Sequence, residues 1–285
     1  MSVMDAQVSL RALLYGLERS IGLSRQAARE TVATLLGTTT GDVARRVDES
    51  ASAELRQQAI AVAIRHSNGE PLAYALQSAA FRNLVLHVDR RVLIPRPETE
   101  IVVDEVLKAV ANNPGGIAID IGTGSGAIAL ALATEAHFDR VIATDISPEA
   151  LVVARGNAEQ LAAERPVEFR EGADFEPLLG IKARVLVSNP PYIAFDEAEA
   201  LPPSVRDWEP ALALFADRGG MERYEVLLAG APDYLEPKGW VVLEVDARRA
   251  QVTAAIAERD GRYTDIRIVQ DLSQRDRVLI ARVAG

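Results

Sequence analysis

Apolar positions along this chain change their period near residue 80. Before that point Val8, Leu10, Leu13, Leu14, Leu17 and Ile21 recur at helical spacing. Ser24 stands as an N-cap before a second helical stripe of Ala28, Val32 and Leu35, which Gly37 closes. A short third helix is expected over 42–47. A fourth is expected over 53–66, with Leu55, Ile60 and Ile64 on one face and Asn68-Gly69 as its stop. From Phe81 onward the apolar runs shorten. Those at 84–88 and 92–94 flank Asp89-Arg90-Arg91 and predict a β-hairpin. Pro95 and Pro97 then force an extended entry into a helix starting near Pro97 or Glu98. That helix carries Ile101, Val102, Val106 and Val110 and ends at Asn113-Pro114-Gly115.

Beyond it, strands and helices alternate as a mostly parallel sheet requires. Strands are predicted at 117–121, 141–144, 167–169, 185–187 and 240–245. Helices are predicted at 126–133, from a Ser147 cap through Ala163, at about 221–235 and at 247–259. A long loop occupies about 193–217. Two last strands, 264–268 and 278–283, are joined by 272–275 and form an antiparallel edge. The expected class is α/β, with a helical domain over 1–77, a hairpin linker over 78–94 and a catalytic domain over 95–285. The helical part carries no chemical motif. It is either a packing domain or a module that grips a macromolecular substrate.

Composition narrows the chemistry. Of 285 residues, 48% are hydrophobic and 25% charged, as in an ordinary soluble globular protein. The net charge of −10 argues against a nucleic-acid surface, which needs clustered Lys and Arg. The absence of cysteine excludes disulfides and thiolate chemistry. His66, His87 and His137 are scattered and form no ligand pair, so no metal is expected. No apolar run is long enough for a membrane span, and no leader pattern opens the chain. A cytoplasmic protein is expected.

Two short stretches carry the chemistry. Asp120-Ile121-Gly122-Thr123-Gly124-Ser125-Gly126 follows a strand and opens a helix. Its glycines permit a tight turn and close backbone approach to a ligand, and the helix start offers free N–H groups. The spacing is G-x-G-x-G rather than that of dinucleotide binders, and no Lys-Ser/Thr of a P-loop follows. Asp145 ends the next strand, where a carboxylate can accept both hydroxyls of an adenosine ribose. Together these features favour S-adenosylmethionine over NAD. Asp120 either favours a cationic ligand or anchors the loop through backbone N–H groups.

The second stretch is Asn189-Pro190-Pro191-Tyr192, at the carboxyl end of the 185–187 strand. Asn189 offers a side-chain oxygen and Pro190 a carbonyl. The paired prolines hold φ near about −65°, so these acceptors are fixed. Tyr192 adds a flat ring for stacking. Two fixed acceptors beside an aromatic face suit a planar NH2 group, the amide of a glutamine or the exocyclic amine of a base. The bland alternative is a proline-rich loop ending a strand.

With Ile94-Pro95-Arg96-Pro97-Glu98-Thr99-Glu100, Glu209-Pro210-Ala211-Leu212-Ala213-Leu214 and Arg275-Asp276-Arg277-Val278, these stretches resemble the peptide chain release factor N5-glutamine methyltransferases (HemK/PrmC type) over essentially the whole chain. The resemblance implies a seven-stranded Rossmann-like S-adenosylmethionine-dependent methyltransferase sheet with a small helical N-terminal domain. It implies methylation of the glutamine in the Gly-Gly-Gln motif of class-I release factors, by a monomer without direct nucleic-acid binding. By the same resemblance Gly122, Thr123, Gly124, Ser125, Gly126, Asp145 and Asn189 bind S-adenosylmethionine. Asn189, Pro190, Pro191 and Tyr192 bind the glutamine, with Asn189, Pro190 and Tyr192 in the catalytic role. The chain departs from the family at Gly172-Ala173-Asp174-Phe175, where the acid is displaced by one, and at Asp246, where glycine is usual. Three rival readings stand beside this one. They are a glutamine methyltransferase of a ribosomal protein, an adenine-N6 nucleic-acid methyltransferase, and a non-catalytic S-adenosylmethionine-binding module.

Overall fold

The computed structural model describes residues 8–161 and 166–285, so the expected helix end at Ala163 lies outside the described residues. The chain forms two compact units. One contains the described residues up to Ser78 together with Pro202–Trp208; the other contains Ala79–Leu201 and Glu209–Gly285.

In the helical unit α1 (Leu10–Gly16) runs into a π turn over Leu17–Ile21, followed by α2 (Arg25–Leu35), α3 (Thr40–Arg45), α4 (Ala53–Ser67) and α5 (Leu72–Leu76). Ser9, Ser24, Thr39 and Ser52 each accept a backbone N–H three residues on, satisfying an otherwise unpaired donor at each helix start. The core of this unit is built from Leu10, Leu13, Leu17, Ala28, Val32, Leu55, Ala59 and Ala63. One expectation is corrected. Ile60 and Ile64 are 43% and 49% exposed, and the buried stripe of α4 is Leu55, Ala59, Val62 and Ala63. Alanines make the seam because they let helices approach closely, and they carry little weight in a hydrophobicity pattern. Helix α5, five residues long, is too short to carry a periodic signal of its own.

In the second unit the hairpin comes earlier than its apolar runs suggest. Its strands are β1 (Ala79–Phe81) and β2 (Leu84–Leu86), paired antiparallel, and 92–94 is not a strand. The turn is Arg82-Asn83, with Arg82 at φ 54°. The Arg82 guanidinium is tied to Asp104 and Glu135, each at 2.7 Å, and the Arg82 backbone N–H donates to Glu100 Oε1 at 2.7 Å. Those tertiary ties hold a turn that the local sequence does not advertise.

The sheet has seven strands: β3 (Ile117–Ile121), β4 (Arg140–Asp145), β5 (Val167–Glu171), β6 (Ala183–Ser188), β7 (Leu235–Glu244), β8 (Tyr263–Gln270) and β9 (Asp276–Val283). Their spatial order is β5-β4-β3-β6-β7-β9-β8, parallel except that β9 runs antiparallel between β7 and β8. Helices α6 (Thr99–Val110), α7 (Ala127–Glu135), α8 (Pro148–Leu161), α9 (Glu222–Gly230) and α10 (Ala250–Asp260) cover it. Alternation along the strands sorts the two layers. Ala118, Val185, Val187 and Val242 pack with α6 and α7, whereas Ile119, Leu186, Val241 and Leu243 pack with α9 and α10. Helix α9 stops at Gly230 and β7 begins at Leu235, so the helix expected through 235 is shorter and the strand longer. Pro237 and Gly239 disguise this strand start. The backbone there carries Lys238 at φ 66° and a register shift against β6 between Ala183 and Val185. Among the described residues no helix is long and apolar enough to cross a membrane.

Candidate active site

Strand β3 has β4 on one side and β6 on the other, so the chain reverses its direction of travel across the sheet at this point. Open α/β sheets bind ligands at the carboxyl ends of the strands where this happens. Asp120 pairs with Val187, which sets the glycine turn after β3 beside the loop after β6. The Ser188 hydroxyl fixes that alignment by donating to the Ile121 carbonyl at 2.6 Å.

The turn itself is built for close approach. Gly122 and Gly124 have φ of 74° and 55°, and a Cβ at either would meet nothing within 4 Å. The missing side chains therefore leave open space for a ligand. Gly126, at φ 85°, differs, because a Cβ there would lie 3.0 Å from Leu130 and 3.3 Å from Ala154. It serves helix packing. The N–H groups of Gly122 and Thr123 both donate to Thr144 O at 2.9 Å, and the Gly124 N–H donates to Asp145 Oδ2 at 2.9 Å. Asp145 Oδ1 accepts from the Ser147 N–H at 2.9 Å, so its carboxylate is held between the turn and the start of α8. Buried Asn157 completes the frame. Its amide donates to Ser125 O at 2.9 Å and to His87 O at 3.0 Å, and its oxygen accepts the His87 N–H at 2.7 Å.

A cavity of about 340 Å3 opens over this frame, and Gly122, Gly124, Asp145, Asn189, Pro190 and Pro191 all line it. Thr123, Ser125, Gly126 and Tyr192 do not. The first two are buried beneath the turn, and Tyr192 packs into the layer that contains Tyr224, where burial pushes its hydroxyl pKa up. The aromatic ring that does line the cavity belongs to Phe215, stacked on exposed Phe195 at 5.3 Å between centroids. The displaced acid Asp174 also lines the cavity, at φ 46° and paired with Arg223 at 3.0 Å. Asp246 accommodates its turn by donating its N–H to the Tyr224 hydroxyl and accepting from Arg248. Glu209 is buried and accepts from Arg96 at 2.5 Å and from the Ile94 N–H at 3.2 Å. It thereby ties the Pro210–Leu212 rim to the segment before α6.

Asp120 lies under the turn, outside the cavity lining, with Oδ2 accepting from the Thr123 hydroxyl at 2.6 Å and the Ala129 N–H at 3.2 Å. Of its two sequence readings, the anchoring one matches this geometry. Its Oδ1 is buried with no partner among the described residues, and burial pushes the carboxyl up to about 7 from 3.8. A folded-state pKa above the unfolded one means that stability is full below about pH 4 and is lost as pH rises through 7. Asp120→Asn removes this titration. Relative to the wild type, the variant should gain roughly 3 kcal/mol between pH 5 and 8. Thermal unfolding at the two pH values measures it, and a pH-independent difference would refute the assignment.

Among the described residues no cluster of three or more His, Asp or Glu side chains is arranged to hold a metal ion. Residues 99–201 match the family model of the methyltransferase small domain. The chain is 38% identical over 219 residues to the release factor glutamine methyltransferase of Geobacter sulfurreducens, covering 77% of this chain and 75% of that one. It is 41% identical over 217 residues to the protein of the same name from Moorella thermoacetica, covering 76% of each. A solved methyltransferase from Pyrococcus furiosus superposes with a TM-score of 0.55 at 21% identity, over 72% of this chain and 92% of that one. That likeness concerns the fold.

Proposed function

This chain belongs to the release factor glutamine methyltransferase family, and from that premise we propose how its cavity carries out the reaction. The protein is a glutamine methyltransferase acting on release factors. We assign the methyl donor as S-adenosylmethionine and the acceptor as the side-chain nitrogen (N5) of the glutamine in the Gly-Gly-Gln motif of class-I release factors. One observation carries the assignment: the open glycine turn, Asp145 and the Asn189-Pro190 acceptors line a single cavity.

The residues fit an adenosine sulfonium ligand. Gly122 and Gly124 leave room along the backbone, Asp145 offers carboxylate oxygens for ribose hydroxyls, and the cavity carries acids rather than free cations near its glycine turn. When bound, S-adenosylmethionine supplies an electrophilic methyl group. The acceptor is the harder partner, since an amide nitrogen shares its lone pair with the carbonyl. Asn189 Oδ1 and the Pro190 carbonyl accept the two hydrogens of the acceptor amide and turn its nitrogen toward the donor. Such positioning is worth roughly 7–11 kcal/mol at best. The same two oxygens stabilise positive charge developing on the nitrogen. No general base is needed, because an alkylated amide nitrogen is acidic and loses its proton to water. Phe215, with Phe195 stacked on it, gives the cavity an apolar wall that limits water at the glutamine. The helical unit grips the body of the release factor. The enzyme works as a cytoplasmic monomer on a protein acceptor, and its net charge of −10 supports the exclusion of nucleic acid.

Methyl-labelled cofactor offered in parallel to a release factor, a ribosomal protein and DNA tests this directly. Label should appear in the release factor alone, on the peptide containing Gly-Gly-Gln. Label on the ribosomal protein or on DNA would overturn the acceptor assignment.

A further inference from the structure

We propose that Thr99 and Glu244 are positioning residues that dictate which end of the Asn189 amide faces the acceptor. The inference rests on the reading of Asn189 as the group that holds the acceptor amide.

Thr99 is the first residue of α6 and Glu244 the last of β7, and they are 4% and 1% exposed. The Thr99 hydroxyl donates to Glu244 Oε2 at 2.6 Å, and Asn189 Nδ2 donates to Thr99 Oγ1 at 3.2 Å. The hydroxyl thus turns away from its own helix, whose start has no side-chain cap. The two ends of an asparagine amide are nearly identical in shape and opposite in chemistry, one accepting and one donating. Only the oxygen can hold an N–H of the acceptor. Turned over, Asn189 would point donors at donors.

The row settles this choice by proton count. A carboxylate only accepts, so the single Thr99 proton is committed to Glu244. The Thr99 oxygen can then only accept, which draws Asn189 Nδ2 toward it. The Asn189 oxygen is left for the cavity, which Asn189 lines. Reversing the far end reverses the row. A protonated Glu244 donates to Thr99, which frees the Thr99 proton for the Asn189 oxygen and turns the amide over. Burial raises Glu244 to about 7. Thr99 opposes this through its hydrogen bond, as do Arg277 on β9 and Arg96 before α6, while Glu98 reinforces it. The Tyr192 hydroxyl also faces Glu244 and stays neutral through this range. Burying an ionisable acid at a strand end is costly, and a packed apolar residue would serve stability better. Its presence beside the cavity fits a role in function.

The test uses the full chain with a release factor and S-adenosylmethionine. Thr99→Val, which keeps the shape and removes the hydroxyl, should lower kcat by about 10–100-fold while cofactor affinity by calorimetry changes less than about twofold. Thr99→Ser should recover kcat to within about threefold of the wild type. Wild-type kcat should rise about tenfold between about pH 6 and 8, and Glu244→Gln should be flat over that range because its amide supports either row direction. Without any acceptor and in an Asp120→Asn background, which silences the other buried carboxyl raised to about 7, an infrared protonated-carboxyl band should titrate near neutrality and be missing once Glu244→Gln is added. The proposal is overturned if Thr99→Val retains wild-type kcat, if Thr99→Ser is no better than Thr99→Val, or if Glu244→Gln keeps the wild-type pH limb. Asn189→Ala separates the two levels: if it too stays active, the reading of Asn189 has failed rather than that of its neighbours. Should Thr99→Val fail to fold, Thr99→Ser, the infrared titration and the pH limb still decide.

Discussion

Asn189→Ala should lower kcat for release factor methylation by about 10²–10³-fold, the loss seen when one preorganised acceptor or donor is removed from a site of developing charge. The loss should fall on kcat. The release factor is a large protein held by surfaces well beyond one glutamine, so its KM should move little. Cofactor affinity should also stay within a few-fold, because Gly122, Gly124 and Asp145 keep their backbone ties without Asn189. Some catalysis should survive, because the Pro190 carbonyl is a backbone group and persists in the variant. Calorimetry with S-adenosylmethionine and single-turnover methylation measure the two quantities separately. If binding and turnover fall together, Asn189 is part of the cofactor shelf and the proposed division of labour is wrong.

That division was legible in the sequence because each half of it is local. The glycine turn, the acid ending the next strand, and two prolines after an asparagine each combine a chemical signature with a strand end, and hydrophobic periodicity locates strand ends well. The residues that orient these groups left no such mark. Thr99 meets Glu244 across 145 residues of sequence, Asn157 meets His87 across 70, and Ser188 meets Ile121 across 67. Each alone reads as an ordinary helix start, helix interior or strand end. The packing of α6 on β7, the approach of α8 to the segment after β2, and the register of β3 against β6 bring them into contact. The misplaced hairpin has the same origin. Arg82 holds a left-handed turn through partners on α6 and α7, while Val88 and Val92 are buried without belonging to strands. Tyr192 differs. Its ring suggests a stacking face from residue type alone, and in the fold it packs half-buried against the layer that contains Tyr224, while Phe215 lines the cavity.

Asp145→Ala should produce the complementary defect, a loss of cofactor affinity of about 10²–10⁴-fold, with turnover at saturating cofactor reduced far less. The magnitude follows from hydrogen bonds to a charged acceptor, worth roughly 1.5–3 kcal/mol each, two of which a ribose would make. Part of the loss comes from the protein itself. The carboxylate also receives the Gly124 and Ser147 N–H groups, so its removal leaves both donors without their partner and loosens the turn. Asp145→Asn separates these contributions. One amide oxygen can still accept from the turn, but the nitrogen end meets donors where the carboxylate accepted, so affinity should fall nearly as far while thermal stability falls less than in Asp145→Ala. S-adenosylhomocysteine should lose affinity in parallel, since it shares the ribose and lacks only the transferable methyl. Were the demethylated ligand to bind both variants like the wild type, Asp145 would serve the turn alone, and the ribose would have to be placed elsewhere in the cavity. Set against Asn189→Ala, the pair forms a crossed test. One variant keeps the cofactor and loses the reaction, and the other loses the cofactor and keeps the machinery that orients the acceptor.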